Sequence, residues 1–95
     1  MEDNKQIKLN FDKDDLKGRY SNLMNVTHSK EEFVLDFFNV FPPVGQSVAR
    51  VVVSPGHMKR MLKVLESNLK NYEKNFSNIE EADEPPKGVG FTAGN

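Results

Sequence analysis

A small α+β domain is the fold this chain predicts: an antiparallel sheet of about four strands followed by one long amphipathic helix. Three observations carry that reading. Apolar residues alternate in period two, or fill both parities, in several short segments before residue 54. Ser54-Pro55 has the form of a helix start, with serine as N-cap and proline in the first helical position. From Met58 to Phe76 the apolar residues then recur at spacings of three and four.

In residues 5–11, Ile7, Leu9 and Phe11 alternate with polar neighbours, which predicts a half-buried first strand. The charged run from Asp12 to Gly18 reads as a loop. A second strand is expected from Arg19 to Thr27, with Tyr20, Met24 and Val26 on one face. His28 to Glu32 is a polar connection, in which Ser29 and Glu32 match a capping box and would allow one helical turn. Phe33 to Phe41 is the third strand. It is apolar on both parities: Phe33, Leu35, Phe37 and Phe41 on one, and Val34, Phe38 and Val40 on the other with Asp36.

Pro42-Pro43-Val44-Gly45 makes a loop, because proline cannot donate to a ladder. Ser47 to Val53 is the fourth strand, with Ala49, Val51 and Val53 on one parity and Val48, Arg50 and Val52 on the other. If strands three and four pair as a hairpin, Arg50 comes close to Asp36 as a cross-strand ion pair. In the helix, Met58, Met61, Leu62, Leu65, Leu69, Tyr72 and Phe76 fall in one stripe at 100° per residue. After Phe76 the chain turns acidic, then proline-broken, then glycine-rich, a composition that cannot bury enough apolar surface to fold. The expected organisation is therefore a flexible N-terminus over 1–4, one α+β domain over 5–76 and a disordered tail over 77–95.

The 95 residues make one domain, and a folded part of this size is marginal on its own. With no cysteine, disulfides and thiolate metal sites are excluded, which leaves oligomerisation as the available supplement. The formal charge of −1 gives no global pull towards nucleic acid or membrane. The first residues lead into no apolar signal region, and no apolar run is long enough to span a bilayer, so the expected setting is cytoplasmic.

One helix can cover only one face of a small sheet, yet the third and fourth strands are apolar on both. Contiguous exposed apolar patches mark interfaces. The expectation is a second layer, supplied by another copy in a homodimer or by another protein, the alternative being that the first strand and the tail fold over that face. The parity of Val34, Phe38, Val40, Val48 and Val52 is the expected interface, because Asp36 and Arg50 interrupt it and polar residues suit an interface better than the underside of a helix.

No cofactor, metal or catalytic constellation is expected. His28 and His57 are the only histidines and have no partner at ligand spacing, and no serine stands in a nucleophile-elbow context. Gly88-Val89-Gly90 lacks the strand, helix and lysine of a phosphate loop. The helix does carry a basic face of Lys59, Arg60, Lys63, Lys70 and Lys74. Set against Glu66 and Glu73, these five cations leave the helix at +3. Such a face is either an ordinary solvated surface with pairs such as Glu66–Lys70, or a docking surface for phosphates or an acidic protein. It has no aromatic residues to stack bases, so nucleic-acid binding is the second reading.

The ordered set of residues resembles the domain of unknown function 3467 family of bacteria and archaea over residues 5–79. The matching positions are Tyr20-Ser21-Asn22, Thr27-His28-Ser29, Glu32-Phe33, Leu35-Asp36-Phe37, Arg50-Val51-Val52, Ser54-Pro55 and Lys59-Arg60. Leu62, Leu65, Leu69, Tyr72-Glu73 and Phe76 continue the match, and Ser77-Asn78 departs from it where many members have glycine. The resemblance implies no catalytic residues. It implies a link with the transcription machinery, through genes that neighbour those of the large RNA polymerase subunits. The expected function is a non-catalytic protein-interaction module, an accessory of that machinery.

Overall fold

A computed structural model describes residues 6–84. The elements are α1 (Lys13–Lys17), β1 (Leu23–His28), β2 (Phe33–Phe41), β3 (Val44–Val53) and α2 (Pro55–Asn75). The strands form one antiparallel sheet in the order β1-β2-β3, so the class is α+β, with a three-stranded sheet and a long C-terminal helix.

The strand expected over residues 5–11 does not form within the described residues. Ile7, Leu9 and Phe11 keep their alternation but stand 86%, 82% and 66% exposed, in no ladder. Alternation suits a segment to a strand, but a strand forms only where the segment pairs, and this one joins neither outer strand of the sheet. The run that follows, expected as a loop, is the short helix α1. Asp14 and Asp15 in its first turn and Lys17 in its last suit the helix dipole. Gly18, at φ +73°, ends it in a conformation that glycine adopts without strain. Nothing in α1 is buried, so it leaves no apolar periodicity to read.

β1 starts at Leu23 rather than Arg19, because side chains take over the pairing upstream. The Ser21 hydroxyl and the Asn22 backbone N–H both donate to the Phe38 carbonyl, each at 3.0 Å. The Asn22 amide then brackets Val40, donating from Nδ2 to its carbonyl at 2.9 Å and accepting its N–H at Oδ1 at 2.8 Å. Ser29 and Glu32, a match to a capping box, instead close the β1–β2 hairpin, with Ser29 N–H donating to the Glu32 carbonyl at 2.9 Å. Pro42 and Pro43, joined by a cis peptide bond, form the two-residue turn into β3.

The β2–β3 register pairs Asp36 with Arg50, as the sequence predicts, and Val34 with Val52. Between Phe37 and Phe38 it shifts: Phe37 pairs with Ala49 but Phe38 with Ser47, leaving Val48 as the extra residue of a bulge.

α2 begins where Ser54-Pro55 places it. The Ser54 hydroxyl accepts from the His57 N–H at 3.2 Å, and its carbonyl accepts from Met58 at 2.9 Å. Replacing Ser54 by alanine should cost about 0.5–2 kcal/mol in chemical denaturation. An unchanged stability would mean that Pro55 alone sets the helix start.

The helix does not cover the sheet, contrary to the expectation that its stripe packs on one face. Its first turns hold Met58 and Met61 half-buried, but every later residue except Glu73 is exposed. The junction explains this. Only Ser54 separates Val53, the last residue of β3, from Pro55, whereas a helix that returns over its own sheet ordinarily uses a connection of about two to six residues. Leu35, 3% exposed at the centre of β2, is the one buried apolar side chain among the described residues.

Candidate interaction surface

β2 is the central strand, and its two parities define the two faces of the sheet. On the first face Leu35 lies between Val26 of β1 and Val51 of β3, and Phe37 lies between Met24 and Ala49. Met24 is 52% and Val51 42% exposed, so this face is bare at its margins. An open hollow at one end is lined by Asp14, Asp15, Arg19, Phe37, Val48 and Ala49. Arg19 donates from Nη1 to the Val48 carbonyl at 3.1 Å, which ties the segment before β1 to the bulge of β3.

The second face carries Val34, Phe38, Val40 and Val52 of the expected interface. The register keeps these four on one parity, with Val34 opposite Val52 and Val40 opposite Gly45. Val34, Phe38 and Val40 are half-buried and Val52 is half exposed. Val48 departs from the set, since the bulge places it in the hollow beside Phe37 and Ala49. A strict period-two count through β3 assigns it to the other face, and one inserted residue is enough to reverse that assignment.

At the middle of this second face sits the Asp36–Arg50 pair. Arg50 grips the carboxylate with two parallel bonds, Nε to Oδ1 at 2.6 Å and Nη2 to Oδ2 at 3.0 Å. The Asp36 side chain is 10% exposed and that of Arg50 68%, so the acid is enclosed and the base lies over it like a lid. The hydrogen bond from Arg50 holds the Asp36 pKa below its ordinary value, against the opposing effect of burial. A carboxylate held low in the fold stabilises it at neutral pH, and that contribution fades as pH falls below the usual aspartate range. Asp36→Asn should therefore flatten the acid limb of the stability–pH profile. An unchanged limb would show that other carboxylates set it.

The basic face is laid out along α2 as expected: Lys59, Arg60, Lys63, Lys70 and Lys74 are all exposed. Arg60 Nη2 donates to His57 Nδ1 at 2.8 Å. None of the five makes an ion pair among the described residues, and the expected Glu66–Lys70 pair does not close. Glu73 accepts instead from the Ile79 N–H at 2.9 Å, tying the chain beyond the helix back to its last turn.

No three His, Asp or Glu side chains among the described residues converge as a metal site. The positions that carry the family resemblance do structural work: Ser21 and Asn22 start the sheet, Asp36 and Arg50 cross-link it, and Ser54 starts the helix. Beside that basic face an apolar one remains bare, and the sequence reading missed its largest part. Leu62, Leu65, Leu69, Tyr72 and Phe76 on α2 are 58%, 59%, 53%, 47% and 73% exposed. The signal was the single-residue junction at Ser54. No helix among the described residues is long and apolar enough to cross a membrane.

The family model described as "Protein of unknown function (DUF3467)" matches residues 1–81, and the chain belongs to that family. The match takes in the unpaired segment before α1 as well as the whole of α2. No curated protein and no solved structure matches the chain significantly.

Proposed function

We propose that this member of the family is a non-catalytic protein-interaction module that operates as a homodimer. The observation that carries the reading is the apolar stripe of α2, which beyond the half-buried Met58 and Met61 is about half exposed or more from Leu62 to Phe76. An apolar row of this extent on a small domain is an interface rather than a solvated surface. The sheet face of Val34, Phe38, Val40 and Val52 offers a second docking surface. The transcription machinery is the partner class that the family resemblance implies, in a cytoplasmic setting. Co-purification with RNA polymerase from the source cell tests that extension separately.

Sedimentation equilibrium at tens of micromolar tests the core of the reading, with a dimer expected. A strictly monomeric chain would remove it.

A second reading rests on the five exposed cations of α2, which have no ion-pair partner among the described residues. In that reading the helix docks on nucleic-acid phosphates. Binding of duplex DNA that weakens steeply with salt and is lost in Lys63→Glu/Lys70→Glu/Lys74→Glu would establish it over the first.

A further inference from the structure

We infer that α2 is one half of an antiparallel two-helix seam, completed by α2 of a second copy of this chain. The inference rests on the dimer reading and specifies its geometry. Met58, Leu62, Leu65, Leu69, Tyr72 and Phe76 follow one another at intervals of four, three, four, three and four residues. That is the narrow seam of a coiled coil, not the broader stripe of a helix lying on a sheet. From Leu62 onwards the seam residues are exposed, and the helix has 21 residues, about 30 Å of usable length.

The orientation follows from the side chains. In an antiparallel pair centred near Ser67, Leu65 meets the partner's Leu69, Leu62 meets the partner's Tyr72, and Met58 meets the partner's Phe76. All six seam positions are thereby filled, each layer occurring twice about the two-fold axis. The positions flanking the seam on one side are Lys59, Glu66 and Glu73. Antiparallel pairing sets Lys59 against the partner's Glu73 at both ends, with Glu66 meeting its own copy between them. The other flank, Met61, Asn68 and Asn75, is uncharged. A parallel pair would instead place Met61 and Asn68 beside the partner's glutamates, with no opposite charges in contact. It would also crowd both sheets at one end, whereas the antiparallel pair sets them at opposite ends. Arg60, Lys63, Lys70 and Lys74 stay on the outside in this arrangement.

The chain has no cysteine, so single introduced cysteines report the register directly. Asn68 is exposed and lies on the flank that meets its own copy near the two-fold axis. Asn68→Cys should give a disulfide-linked dimer on mild oxidation, and Leu62→Cys, opposite the partner's Tyr72, should not. Lys59→Glu should weaken dimerisation several-fold, and adding Glu73→Lys should restore it. Linkage through Leu62→Cys but not Asn68→Cys would mean a parallel pair and overturn the inference. A dimer that neither cysteine links, with no effect of Lys59→Glu, would place the contact on the sheet face, overturning this geometry while leaving the dimer reading intact. A monomeric wild type would overturn both.

Discussion

Replacing Leu35 by alanine is expected to cost about 2–5 kcal/mol of folding stability, the range for truncating a buried leucine. At 3% exposure it is the one buried apolar side chain among the described residues, held between Val26 on β1 and Val51 on β3. A fold of this size has a net stability of only about 5–15 kcal/mol to lose from. Among the described residues α2 leaves most of the sheet uncovered, so little is at hand to collapse into the space and the loss of leucine's contacts is felt by all three strands. Phe41 makes the contrast: it is larger but 83% exposed, and Phe41→Ala should fall within about 0.5 kcal/mol, as for most surface substitutions. Urea denaturation of both variants checks the pair. An equal loss in the two would mean that the centre of the fold lies at the hairpin end and not at Leu35.

The elements that the sequence made legible are those whose causes are local. Ser54-Pro55 marks the helix start because capping involves only the next three residues. The approach of Asp36 to Arg50 was readable because one short turn joins their strands. The length of β2 was readable because its apolar run is bounded by a polar connection and two prolines. What was not legible depends on a partner at a distance. Ile7, Leu9 and Phe11 have strand alternation but pair with neither outer strand of the sheet. Val48 sits on the wrong side of a period-two count because a bulge adds one residue. The apolar stripe of α2 was placed correctly around the helix, but periodicity says which face is apolar and nothing about what lies against it. The single-residue connection at Ser54, read as a cap, is also the reason the helix leaves its own sheet uncovered.

That departure makes the second large effect a property of the assembly. Leu65→Lys/Leu69→Lys should turn the dimer into a monomer, weakening association by roughly a thousandfold, the combined loss of the dimer's four central leucines at about 1 kcal/mol each. In the antiparallel seam these two leucines form the layers nearest the two-fold axis, so each dimer would bury four ammonium groups against one another. The helix itself should survive, because lysine and leucine have similar helix propensities and both positions are exposed within the protomer, at 59% and 53%. Far-ultraviolet circular dichroism of the variant should therefore match the wild type at concentrations where sedimentation reports monomer. Val64 supplies the control. It is apolar, 55% exposed and adjacent to Leu65 in sequence, but it lies off the seam, so Val64→Lys should leave association unchanged. If Val64→Lys dissociates the dimer as fully as the leucine pair does, general hydrophobicity holds the copies together and no seam exists. If the leucine variant stays dimeric, the contact is made by the sheet, through the face of Val34, Phe38, Val40 and Val52.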